Sequence, residues 1–480
     1  MRGTTHTRRT AVAAVLAWTL LATACGGSGG DGGDEGADGG GSATTAAPAT
    51  TAPGAATTDT DTDTDTDTET DTTGTDTDTT GAEPGADTTA PAEPGEVSPN
   101  AVFPTLGPPT GTPIRIGLVN TEGAPGLDFP EIRTYIEGAV TYLNEHGGMG
   151  GRPIELESCV VNGSPETSQA CAQELTGNDV ELVMLGLDLF PDYATYTAAA
   201  VPIIGVLPIL PGDYTADALF LTGGNATVMA ATAGVAKDHF GATRVGIISA
   251  DNPGGNSSLG SLTASLDALG VEWTSVKGGD TETDAGFLGL MREAADGDPD
   301  VIVSLYSDAG CIGTMRGRAS LGIDIPVLTT GICSSAEVLD QVGDHAVGWN
   351  FVGVSTQEET PELAILQEIL APVLDVAPEE VDSTALGLGG LGMFLIMTTT
   401  VIANQLAAEG LEVTGAALRD RLATGEGLTL WPGGAALDCG AAPAYPSMCS
   451  FEFPIAEYLE GGEVRTIPGL EAVSALDYLP

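Results

Sequence analysis

Positive charge is what this sequence has least of. Fifteen Lys and Arg stand against 67 Asp and Glu in 480 residues, a formal charge of −52. A field of that sign repels nucleic acid and anionic membrane surfaces, so nucleic acid is not an expected partner. The acidity reads as a strongly solvated surface rather than as a site that gathers cations. Histidine is also scarce: four residues, one of them in the first ten. No C-x-x-C occurs, so the usual ligand patterns of a metal site are missing and neither a metal nor another cofactor is expected. H-E-x-x-H and a phosphate-binding Gly-rich loop with Lys are absent as well, G-x-S-x-G occurs only within the Gly-rich run 26–30 with no strand before it, and nothing marks the chain as an enzyme. His146, His239 and His345 fall at a helix end or in turn-like segments, where structural roles are expected.

The N-terminus has the character of a targeting segment. Arg2, Arg8 and Arg9 precede an apolar stretch from Ala11 to Leu21, too short to span a bilayer as a helix of roughly 20 residues. Ala22-Thr23-Ala24-Cys25 with Gly26 behind it resembles a bacterial lipobox. That resemblance implies a signal peptide over 1–24 and lipidation of Cys25; the alternative is ordinary cleavage after Ala24. Arg8-Arg9 also fits the dipeptide of a twin-arginine signal, but the residues after it do not continue that pattern, which favours the general secretory route.

Residues 26–112 hold 17 acids and no Lys or Arg. They are dominated by Gly, Ser, Thr, Ala, Pro and Asp, with Asp-Thr alternating from Asp59. So few apolar side chains cannot offset ordering entropy, and a disordered tether is predicted. Its r.m.s. span would be about 50 Å, lengthened by carboxylate repulsion. The Asp-Thr run lacks the spacing of a calcium loop. If Cys25 is lipidated, six Cys remain, an even number suited to an oxidising compartment. Six Cys allow about fifteen connectivities. The expectation is three local pairs, Cys159/Cys171, Cys311/Cys333 and Cys439/Cys449, each contributing roughly 2–3 kcal/mol on the chain-entropy account.

From Ile114 the pattern alternates between strand and helix. Strands are predicted at 114–119, 154–156, 180–185 and 202–207, with helices at 130–146, 168–175, 193–200 and 224–240. A second series has strands at 244–249, 272–276, 301–305 and 327–330, with helices at 260–269, 287–295 and 314–321. Two such series predict an α/β chain with two doubly wound parallel-sheet lobes. Ala385–Ala403 carries no charge over nineteen residues. Its four Gly and three consecutive Thr read as a buried core helix rather than a membrane span.

One passage is dense enough to suggest a family. An amphipathic helix through Glu137-Gly138-Ala139-Val140 runs into Asn144-Glu145-His146-Gly147-Gly148-Met149-Gly150-Gly151-Arg152-Pro153-Ile154-Glu155-Leu156. Cys159, Pro165-Glu-Thr and Cys171-Ala-Gln-Glu-Leu175 follow. This resembles the extracellular substrate-binding proteins of branched-chain amino-acid ABC transporters. The resemblance implies a type I periplasmic-binding fold whose lobes are joined by three hinge crossovers. Lobe 1 would be 113–235 plus 356–430, and lobe 2 would be 236–355 plus 431–480. It further implies a monomer held by its lipid at the extracellular face of the cell membrane. There it would capture a small-molecule ligand (amino acid, amide or related compound) for an ABC permease. A ligand-sensing surface lipoprotein with a separate signalling partner is the alternative.

Ligands of open α/β sheets bind beyond the carboxyl ends of strands. That rule nominates Asn120, Thr121, Asp188, Leu189, Pro208 and Ile209 in lobe 1, and Gly255, Ser307, Asp308 and Gly331 in lobe 2. The chain departs from the amino-acid binders here. Leu187, Asp188 and Leu189 stand near the family's hydroxyl position, Gly254 or Gly255 near an aromatic one, and Gly331 near its acid. Asp308 is the candidate replacement for that acid. The departures leave the ligand open, since the resembled family also binds amides, urea and aromatic acids, while Asp188, Leu189, Phe190 and the loop Pro208-Ile209-Leu210-Pro211 hint at a less polar, cationic one.

Overall fold

The computed structural model describes residues 107–124, 127–356, 360–425, 427–432 and 434–480. All belong to the second of the two units into which the chain divides, Asp87–Pro480. Cys25, the apolar stretch before it and residues 26–106 of the expected tether lie outside the described residues.

The motif that suggested the family is a structural joint. β1 (Ile114–Thr121) leads to α1 (Pro130–Glu145), which buries Ile132, Tyr135, Ile136, Ala139, Val140 and Leu143 as one helical stripe. The helix ends where Gly147 and Gly148 take φ of 95° and 66°. A Cβ on Gly148 would lie 2.1 Å from the Arg152 carbonyl oxygen, so only glycine fits this turn. Asn144 then seats the next strand, accepting from the Ile154 N–H at 2.8 Å and donating to its carbonyl at 3.0 Å. Arg152 donates to both Glu181 oxygens and to the carbonyls of Thr112, Pro113 and Val413. One guanidinium thus ties four chain segments together.

The first sheet adds β2 (Ile154–Val161), β3 (Leu182–Leu185), β4 (Ile203–Gly205) and β5 (Leu219–Phe220), in the parallel order β2-β1-β3-β4-β5. The second contains β6 (Arg244–Ala250), β7 (Glu272–Gly278), β8 (Val301–Leu305), β9 (Val327–Thr330), β10 (Trp349–Val352), β11 (Ile455–Tyr458) and β12 (Val464–Thr466). Its order is β12-β11-β10-β9-β8-β6-β7, parallel except where β11 pairs antiparallel with β10 and β12. Along β3, Leu182 and Met184 enter one core while Val183 and Leu185 enter another. Along β6, Val245 and Ile247 face one core, Ile248 and Ala250 the other. The central strands β3, β6 and β8 are covered on both faces and read as apolar runs, whereas the edge strands β2 and β7 are polar and partly exposed.

The helices between β1 and β10 are α2 (Pro165–Gly177), α3 (Tyr193–Ala198), α4 (Gly224–Gly234), α5 (Pro253–Leu269), α6 (Asp284–Ala294), α7 (Asp308–Leu321) and α8 (Ala336–Val342). Beyond them come α9 (Pro361–Leu374), α10 (Gly387–Ala408) and α11 (Gly415–Thr424). The predicted apolar helix at 385–403 is α10, and most of it is buried. Its threonines are satisfied there: Thr399 and Thr400 donate back to Leu395 and Ile396, and Thr398 accepts from the Trp431 N–H at 3.1 Å.

Core membership moves two of the expected lobe boundaries. Met229, Ala230, Ala231 and Ala233 of α4 pack with Val245 and Val303 of the second sheet, not with lobe 1. The small faces of these alanines let the helix lie close on that sheet. Trp431, Leu437 and Cys449 belong to the first core, with α10 and α11. The chain therefore passes between the sheets just before Gly224 rather than near 235, and between Cys449 and Ile455 rather than at 430. The middle passage links β10 to α9. The disulfides are Cys159–Cys171, Cys311–Cys333 and Cys439–Cys449.

Candidate functional site

Each sheet has a point where strand order reverses, between β1 and β3 and between β6 and β8. Such a switch point opens a crevice at the carboxyl ends of the strands. The residues nominated from the sequence lie around these ends, but most of their polar atoms are already engaged. Asn120 is buried, donating to Phe129 O at 2.8 Å and accepting from the Leu187 N–H at 3.2 Å. Thr121 donates to Leu187 O at 2.7 Å. Asp188 is 6% exposed and accepts from Ser168 Oγ at 2.7 Å and the Phe190 N–H at 3.0 Å. Burial pushes its carboxyl above the usual range, while those two hydrogen bonds pull it down. Leu189 is core. This quartet braces the β1 and β3 loops against each other.

Pro208 and Ile209 do more. The Ile209 N–H donates to Asp213 Oδ2 at 2.8 Å. The Ile209 carbonyl accepts from Asn225 Nδ2 at 2.8 Å and from Ser257 Oγ at 2.9 Å. Ser257 stands on α5, beside the second sheet, so this bond crosses from one lobe to the other. Gly255 lies two residues before it, its N–H held by Asn252 Oδ1 at 2.7 Å. A Cβ there would sit 2.3 Å from the Ala250 carbonyl oxygen, so glycine is required to turn the chain into α5.

Ser307 is the N-cap residue of α7, and its carbonyl accepts from the Gly310 N–H at 2.9 Å. Asp308 follows with φ 42°. Its carboxyl is pushed up to about 6, by burial first and then by the charges of Glu337, Asp128 and Asp280. Glu131, on the first turn of α1, rises to about 7, again through burial and then through Asp308, Glu337 and Asp128. Acids from both lobes therefore act on one another. Glu131 was not singled out in the sequence; the cue was an acid in the first helical turn after a strand-end loop.

Gly331 follows β9 and lines a cavity of about 380 Å³, a size suited to a small ligand. It is the one of the ten nominated residues in that lining. The walls come from strand ends of both sheets, including Leu207 and Thr330, and from the first turns of α10. All three passages between the sheets contribute, through Thr222, Val354 and Phe453 among others. Phe394 supplies aromatic surface, with the buried Trp431 behind it, and Thr384 and Ser355 supply hydroxyls. Sequence reading missed the contribution of 383–394. The cue was its glycines, which let α10 approach α1 closely: a Cβ on Gly392 would lie 2.7 Å from Ile132 O. Among the described residues, no group of three or more His, Cys, Asp or Glu is arranged to hold a metal.

Solved structures share this architecture. An ABC transporter substrate-binding protein from Sphaerobacter thermophilus matches with TM-score 0.61 at 20% identity, over 76% of this chain and 99% of that one. A solute-binding protein of an ABC transporter from R. palustris in complex with benzoate matches with TM-score 0.58 at 15% identity, over 76% and 97%. The branched-chain amino acid transporter substrate-binding protein of Streptococcus pneumoniae in complex with isoleucine matches with TM-score 0.55 at 15% identity, over 74% and 99%. No curated protein sequence matches. The family described as periplasmic binding protein matches residues 113–437. Two parallel-dominated sheets, three passages between them and a cavity walled by all three agree with that match, and the chain belongs to the periplasmic binding protein family.

Proposed function

We propose that this protein captures a small solute between its two lobes outside the membrane and delivers it to an ABC importer. The observation that carries the reading is the cavity at the strand ends, walled by both lobes and by all three passages between them. A ligand there touches both lobes at once only when they are closed, so binding draws the population towards the closed form. The similar proteins in complex with benzoate and isoleucine place amino acids and small aromatic compounds among the solutes to try. Anchoring through lipidated Cys25, with 26–112 as a tether and the molecule acting as a monomer beside its permease, completes the proposal.

A thermal-shift screen of the full-length, oxidised protein tests it, using amino acids, amides, polyamines, ureas and small aromatic acids. A solute that binds only the folded state raises the melting temperature by mass action. A saturable shift supports the reading; a flat response across the panel counts against it. The anchor is tested separately, since Cys25→Ser should release the protein from the membrane fraction.

A further inference from the structure

The cavity walls speak to the ligand's charge. Among the described residues lining it there is no Lys, Arg or His, and the charged side chains present are Glu452 and Glu471. Both are exposed, at the rim. The interior is largely apolar, with the partly exposed Leu391 and Phe394 among its walls and the buried Trp431 behind them. On another face of α10, Glu131 packs against Gly389, where a Cβ would come within 3.1 Å of its side chain. Asp128, Asp308 and Glu337 add their fields to that of Glu131, and no basic residue is among the influences on either Glu131 or Asp308. The nearest guanidinium along α1, Arg133, is committed to Glu122 and Glu137.

A carboxylate entering here would find no counter-ion among the lining side chains and would meet the two rim glutamates, while Asp128, Glu131, Asp308 and Glu337 stand outside the lining. An ammonium would relieve that repulsion, and an apolar body would gain from the aromatic walls. Resting on the solute-binding reading above, we propose that the interlobe cavity takes a small organic cation, an amine with an apolar aromatic or branched aliphatic body, and rejects the corresponding acid.

Two matched series test this on the full-length protein with its disulfides intact. One is benzylamine, benzamide and benzoate; the other is 3-methylbutylamine, 3-methylbutanamide and 3-methylbutanoate. Melting temperature and calorimetric Kd are read at pH 7.5. The amine of at least one series should bind saturably, about tenfold or more tighter than its acid. Glu452→Gln with Glu471→Gln should narrow that ratio, and Leu391→Trp, which fills the cavity, should abolish the response. If Leu391→Trp does not fold, the double Gln variant alone decides. An acid bound as tightly as its amine overturns the charge assignment while leaving solute binding intact. A preference for amines that neither variant alters overturns the assignment to this cavity. No response in either series, nor to the wider solute panel, overturns the solute-binding reading and this inference with it.

Discussion

At the scale of the residue, Glu131 carries the clearest prediction. Its carboxyl is raised to about 7 in the folded protein, so it holds its proton more tightly folded than unfolded. Its contribution to stability is complete below about pH 4.5 and is lost as pH rises through about 7. Asp308, raised to about 6, and Asp188 and Asp213, raised by burial, act in the same direction. Urea midpoints should therefore fall between pH 5 and pH 8, and Glu131→Gln should flatten the slope by on the order of 1–2 kcal/mol. An unchanged slope in the variant would exclude Glu131 as its source. Thr398 offers a second case. It is buried and accepts the Trp431 N–H, so Thr398→Val leaves that donor unpaired and should cost about 1–3 kcal/mol by denaturant unfolding. Legibility at this scale was uneven. Asn120, Thr121 and Asp188 sit where strand-end reasoning put them, yet their polar atoms are turned onto neighbouring loops. No sequence rule announces that Ser168 and the Phe190 N–H will occupy Asp188.

At the scale of the element, the disulfides differ in depth. Cys311 and Cys333 are wholly buried and pin α7 to the turn after β9, whereas Cys159 is partly exposed on β2. Under graded reductant in native buffer, mass spectrometry should find Cys159–Cys171 opened first and Cys311–Cys333 last. Cys311→Ala with Cys333→Ala should cost about 3 kcal/mol, the loop closed being 22 residues. The reverse order of reduction would show that burial does not protect the inner bridge. Helices with one apolar stripe, such as α1, were readable from spacing alone. The first turn of α5 was not, because Pro253-Gly-Gly reads as a loop until Asn252 caps it and Gly255 fits against Ala250. Nor were α9 and α11 singled out, although Thr360 and Thr414 stand at their N-caps.

At the scale of the whole molecule, the bond from Ser257 Oγ to the Ile209 carbonyl joins the lobes directly. A second joins Ser334 Oγ to the Thr384 carbonyl at 3.1 Å. Ser257→Ala should loosen closure, weakening solute affinity by several-fold, about 0.5–1.5 kcal/mol, with little change in melting temperature of the free protein. Calorimetry against whichever solute binds, beside thermal unfolding, separates the two. An equal loss in both would make Ser257 a folding contact rather than a latch.

Sequence alone determined the parallel α/β lobes, the acidic surface and the buried helix at 385–403. Each follows from periodicity or composition summed over many residues, which local physics encodes redundantly. The boundaries at Gly224 and beyond Cys449, the cavity behind Gly331 and the meeting of Glu131 with Asp308 were decided by tertiary structure. These depend on particular approaches between elements that are not neighbours along the chain. An alanine face settles onto one sheet rather than the other, and Trp431 fills one gap beside α10. Such choices turn on shape complementarity, and shape exists only once both partners are in place.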